Sequence, residues 1–75
     1  MIDKEVPLRV TFDAEANAAY IYLVEEIRSG DVVKTYCCDP KEVGGMINLD
    51  FDAEGQLLGI EVLDARSYLE QRLLS

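Results

Sequence analysis

The tetrapeptide Phe-Asp-Ala-Glu stands at residues 12–15 and again at 51–54, and superimposing the copies at that offset of 39 residues aligns more than four letters. Leu8 falls on Ile47, Val10 on Leu49, Ile21 on Ile60, Leu23 on Val62 and Val24 on Leu63. Each copy reads as an alternating segment that ends in Phe-Asp, a short polar turn, and a second segment. In the first copy Val6, Leu8, Val10 and Phe12 alternate with Pro7, Arg9, Thr11 and Asp13, the two-residue period of a half-buried strand. The returning run Ala18–Val24 is apolar on both faces, as in a central strand with cover on each side. In the second copy Ile47, Leu49 and Phe51 alternate with Asn48, Asp50 and Asp52. Asp52–Gly55 has turn chemistry, with Gly55 free to take positive φ, and Gln56–Leu63 returns as the partner strand. Gly59 within it marks a bulge or a close approach of another group to the backbone.

Between the copies Ser29-Gly30-Asp31 reads as a turn and Val32–Cys38 as a further strand, while Asp39-Pro40-Lys41 and Gly44-Gly45 break the chain. In the tail Ala65, Tyr68, Leu69, Arg72 and Leu73 recur at helical spacing. Asp64 or Ser67 stands in the N-cap position, and Ser67 with Glu70 resembles a capping box. The pattern predicts an α+β fold: an antiparallel sheet of about five strands in two related hairpins, with one C-terminal helix. It forms a single domain over 1–75, with related units near 6–25 and 46–64 and the helix near 65–74. The helix would cover one sheet face. The other would carry Tyr20 and Tyr22 as a dimer surface, with Tyr68 and Leu69 of the helix as further interface candidates.

So short a chain makes a marginal core, which self-association commonly supplements, so a homodimer is expected. The net charge of −8, from fifteen carboxylates against seven Lys and Arg, opposes nucleic-acid binding, which rests on neutralising phosphates with cations. Acidity favours a basic protein partner instead. The opening Met-Ile-Asp-Lys-Glu-Val-Pro has no basic and apolar secretory pattern, and no apolar run reaches membrane-spanning length. Cys37 and Cys38 are adjacent, with side chains on opposite faces of a strand, and so are poorly placed to bridge each other. The expectation is a reduced, cytoplasmic protein without a membrane partner.

The chemistry-bearing residues read as follows. Asp50, Asp52, Glu54, Gly55 and Glu61 fall at positions 1, 3, 5, 6 and 12 of the EF-hand loop pattern, which makes carboxylate-based calcium binding the alternative function. Its flanks are strand-like rather than helical, and the first copy has Thr11, Ala16 and Tyr22 where the first ligand, glycine and last ligand would stand. The pairs Asp13/Glu15 and Asp52/Glu54 could in principle act as acid and base, but Asp opens turns by bonding nearby backbone amides, and that reading is preferred. The chain has no histidine, so nucleophilic triads and imidazole-ligated zinc cannot be built, and two cysteines are too few for a structural zinc. No enzymatic constellation and no cofactor site emerge.

The two hairpin motifs together resemble a family. Residues 12–23, Phe-Asp-Ala-Glu-Ala-Asn-Ala-Ala-Tyr-Ile-Tyr-Leu, are similar to the opening signature of small bacterial proteins classed as a domain of unknown function: an aromatic, Asp, any residue, Glu, Ala, Asp or Asn, then an apolar stretch with Tyr-Ile. Residues 47–55 and 59–65 resemble its second signature, an apolar-Asp-aromatic-Asp hairpin ending in Gly-Ile-Glu-Ile-Leu. The resemblance covers about residues 8–66; Asn17 stands where the family often has Asp, and Cys37-Cys38 is a second departure. It implies a small α+β protein without an established activity. It also suggests a neighbourhood, since some relatives look like the antitoxin halves of pairs whose toxins resemble small basic ribonucleases. The expected function is therefore a small acidic protein-interaction module, antitoxin-like toward such a partner.

Overall fold

A computed structural model describes residues 3–74 and gives five strands and three one-turn helices. The strands are β1 (Arg9–Asp13), β2 (Ala18–Tyr22), β3 (Lys34–Cys37), β4 (Ile47–Phe51) and β5 (Leu57–Leu63). The helices are α1 (Pro40–Val43), α2 (Ala65–Tyr68) and α3 (Gln71–Leu74). All pairings are antiparallel, in the order β1-β2-β5-β4-β3. The two copies of the repeat are therefore the hairpins β1–β2 and β4–β5, joined side by side along β2 and β5.

The copies meet as equals. Ile21 and Ile60, equivalent under the 39-residue offset, are direct partners, and Tyr22–Gly59 and Tyr20–Glu61 flank them. Shifting either flanking pair by the offset generates the other, so a pseudo-twofold axis passes through the middle of the sheet, perpendicular to it. The repeated aspartate plays one part in both copies. Oδ1 of Asp13 accepts hydrogen bonds from the backbone N–H groups of Glu15 (3.1 Å) and Ala16 (3.2 Å). Oδ1 of Asp52 accepts from those of Glu54 and Gln56, both at 2.9 Å. Each side chain thus holds its hairpin turn closed. The copies differ in a bulge at Asp50/Phe51, which shortens the second turn, where Gly55 takes φ 78°.

One sheet face is apolar across its whole width. Its first row is Phe12, Ala19, Val62 and Ile47, and its second Val10, Ile21, Ile60, Leu49 and Tyr36. Leu23, bonded through its backbone to Leu58, begins a third. The C-terminal segment packs on the first row, with Ile60 of the second at the margin of the cluster. Ala65, fully buried, packs on Ala19 and Val62, with Leu69 and Leu74 alongside. Under the pseudo-twofold the first row maps onto Leu23, Leu58, Phe51 and Leu8. The stretch equivalent to α2 is residues 26–29, and there no helix forms. Glu26 stands where Ala65 would be, with an exposed side chain, and a carboxylate cannot replace that buried methyl.

The single helix expected near 65–74 is corrected to two one-turn helices, α2 and α3, separated where Leu69 turns extended (φ −98°, ψ 144°) to reach the core. The break also separates Ser67 from Glu70, so no capping box forms. Asp64 occupies the N-cap position but is left-handed (φ 54°), and its side chain caps nothing. Asn17 takes over from the first hairpin turn: its Oδ1 accepts from the backbone N–H of Arg66 (3.0 Å) and its carbonyl from that of Ala65 (2.9 Å). A third helix, α1, lies where Asp39-Pro40-Lys41 and Gly44-Gly45 predict a break in the chain. Asp39 caps it by accepting from Lys41 N–H at 2.9 Å, with Pro40 in its first turn. Among the described residues no helix is long and apolar enough to cross a membrane.

Candidate functional site

The face opposite the helices carries the polar residues. Because side chains alternate along a strand, Arg9, Tyr22, Gly59, Asp50 and Thr35 form one row across all five strands. Thr11, Tyr20, Glu61, Asn48 and Cys37 form the next. Asp50 accepts at both oxygens, from the Tyr20 hydroxyl and from the Thr35 hydroxyl, each at 2.6 Å. Glu61 accepts from the side-chain amide of Asn48 at 2.8 Å. The Arg9 guanidinium lies 3.7 Å from the centre of the Tyr22 ring, which meets Tyr20 edge to face at 4.8 Å.

Gly59 explains the position of Tyr20. The phenol ring lies over this glycine, and a methyl group there would sit 2.6 Å from the ring Cζ. The backbone of Gly59 is closely approached, and the bulge lies beside it on the same strand, where Leu58 is the extra residue between the Asp50–Gly59 and Phe51–Leu57 pairs. Burial of the Tyr20 phenol raises its pKa well above the ordinary 10.0, and the hydrogen bond to Asp50 with that carboxylate's charge raises it further. The neutral phenol is thus the donor at physiological pH.

A group with its pKa raised on folding stabilises the fold fully below its unfolded pKa, and the contribution fades as pH rises toward the folded value. Tyr20→Phe is therefore expected to cost about 1–2 kcal/mol near pH 7. The gap to the parent should close as pH rises above about 10. Thermal melts of both proteins from pH 7 to 12 check this, and a gap independent of pH would refute the assignment.

A second site lies at the opposite end of the β4–β5 hairpin from the helices. The connection from β2 to β3 runs past the Asp52–Glu54 turn. Together they form an open cleft of about 390 Å³ whose walls include Val24, Val33 and Leu58 and the carboxylates Glu26, Asp31, Asp52 and Glu54. Among the described residues no lysine or arginine lines it. Asp52 closes its own turn, and Asp31 accepts from Arg28 N–H at 2.8 Å. Glu26 pairs with Arg28 at 3.1 Å, both side chains more than half exposed, so that pair is easily exchanged.

The four acids of the loop pattern are distributed rather than gathered. Asp50 and Glu61 lie on the polar face, engaged by Tyr20, Thr35 and Asn48, while Asp52 and Glu54 lie at the turn. Strands flank the loop on both sides. Among the described residues no group of three or more acids and cysteines comes close enough to hold an ion. Tyr20 and Tyr22 lie opposite the helices, as their alternation predicts. Tyr68 donates its hydroxyl to the Gly44 carbonyl, tying α2 to the end of α1, and Leu69 packs toward the core. Cys37 is exposed and Cys38 half-buried, and both thiols are free. The cleft was missed in the sequence because its walls come from separate loops; its only local signal was Glu25-Glu26 with Asp31.

Fold and sites define a small α+β domain built from two related hairpins in one antiparallel sheet. Residues 9–66 match the family described as a protein of unknown function, DUF2283, and the chain belongs to that family. No curated protein and no solved structure matches the chain.

Proposed function

We propose that this chain is a non-enzymatic, cytoplasmic interaction module that neutralises a basic protein partner of ribonuclease type, in the manner of an antitoxin. The acid-lined cleft is the observation that supports this reading. A lysine or arginine entering it would lay its aliphatic stem on Val24, Val33 and Leu58 and bring its cation to Glu26, Asp31 and Glu54. The net charge of −8 supplies a long-range field that draws in a basic protein, setting the rate of encounter more than the final affinity.

The test is titration of the chain against small basic ribonucleases, reading both complex formation and inhibition of RNA cleavage. A true partner is expected to associate at least about tenfold more slowly when salt is raised from 50 to 300 mM. The double variant Glu26→Lys/Glu54→Lys should slow association by a similar factor at low salt. A complex whose rate ignores both salt and the variant would sink this reading.

A further inference from the structure

We infer that two copies of this chain pair face to face through the part of the apolar sheet face that α2 and α3 leave open. The molecule has more surface than a monomer of its size needs. Its accessible area is 5823 Å² for 8.4 kDa, where folded monomers of that mass expose about 4,600 Å². Part of the excess of about 1,200 Å² belongs to the exposed residues 3–8 before β1. A standard interface buries roughly 800 Å² on each partner. The core is correspondingly thin: among the described residues the buried apolar ones are Ala19, Leu58, Val62 and Ala65, two of them alanines.

The open surface has the character of an interior. Val10, Ile21, Leu49 and Ile60 cross four strands in one row and are only half-buried, while Leu8 and Tyr36 beside them are 50% and 54% exposed. None carries a charge, in a chain whose net charge is −8. A basic partner would find no carboxylate in that row, whereas a second copy docked there keeps its own carboxylates away from those of its mate. The alternating branched side chains can interdigitate as two sheets stack about 10 Å apart. The edges of the sheet are less suited to pairing. Pro7 precedes β1, Lys34 opens β3 and Pro40 follows it, devices that discourage strand addition. The sequence placed the dimer surface on the Tyr20/Tyr22 face. There the polar groups are already matched within one chain, and the open apolar surface is on the helix side.

Sedimentation of the full chain from micromolar to millimolar concentration, together with its melting temperature over the same range, tests the inference. A dimer is expected, with a melting temperature that rises with concentration because only the folded chain associates. Its affinity should increase with salt, which screens two like-charged copies, opposite to the behaviour expected of the basic partner's complex. Leu8→Asp/Tyr36→Asp, at positions half-exposed in the single chain, should weaken the dimer by at least about 100-fold, since each carboxylate would be buried unpaired. Cys37→Ser on the opposite face should not. If the double variant is unfolded, a concentration-dependent melt of the parent still supports the pairing. A parent that stays monomeric at 1 mM, a melt independent of concentration, or a dimer unmoved by Leu8→Asp/Tyr36→Asp would overturn it.

Discussion

Asn17→Ala is expected to destabilise the protein by about 2–3 kcal/mol, although the residue lies in a surface turn. Two costs combine. Asn17 has φ 53°, in the left-handed region, where alanine is disfavoured by roughly 1 kcal/mol or more. Its side chain also acts as the cap of α2: Oδ1 accepts from Arg66 N–H at 3.0 Å, and Nδ2 donates to Asp64 at 2.9 Å. Removing a cap costs about 0.5–2 kcal/mol. The Arg66 side chain reinforces the stitch by donating to the Ala14 carbonyl at 3.0 Å. Without the Asn17 side chain, α2 is fastened to the first hairpin only by the backbone bond from Ala65 N–H and by Arg66, and Ala65 is the most buried residue of the core. A fall of about 10–20 °C in melting temperature is the expected reading for a domain of this size. Asn17→Gly separates the costs, because glycine keeps the backbone conformation and loses only the side-chain bonds. A loss below 0.5 kcal/mol for both variants would show that the stitch does not hold the helix.

Gly59→Ala is expected to cost about as much, by overpacking. The added methyl would occupy the space of the Tyr20 ring, which cannot simply swing aside while its hydroxyl is held at 2.6 Å by Asp50. Either the ring leaves and Asp50 loses a donor, or β2 and β5 separate locally; about 2–3 kcal/mol covers both outcomes. The two residues should be strongly coupled. In a Tyr20→Ala background the cost of Gly59→Ala should fall by about 1–2 kcal/mol, measured by denaturant unfolding of the four proteins of the cycle. Additive costs would mean that the ring does not depend on the glycine.

Much of this architecture could be read from local pattern. Alternation in Val10–Phe12 and Ile47–Phe51 located strands because one face of the sheet is apolar across its width. The shared offset of Phe12 and Phe51 exposed the repeat, and the turn chemistry of Asp13 and Asp52 is what their hydrogen bonds show. Long-range partnerships were not legible. Asp64 looked like a cap because it precedes a helix, yet the cap comes from Asn17, 47 positions away. Tyr20 reads as an interface residue, while its hydrogen-bond partner Asp50 lies 30 positions on. The helical period through Ala65–Leu73 is real, but Leu69 breaks it because the core lies to one side of so short a helix. The order of the strands, with β3 at the far edge beside β4, follows from a crossover that no local period encodes.

The pseudo-twofold axis has a consequence for how the chain divides its labour. Two separate hairpins meeting at Ile21 and Ile60 would form the same central ladder as a symmetric pair. Each would then have to carry identical sequence on both sides of the axis. Joined in one chain, the halves are released from that identity. The second keeps the tail that closes the first row of the core, while the first, with Glu26 where the second has Ala65, leaves its tail free to wall the acidic cleft. One repeated unit thus closes the core at one end and walls an acidic cleft at the other, and only the seam between the two copies must stay matched.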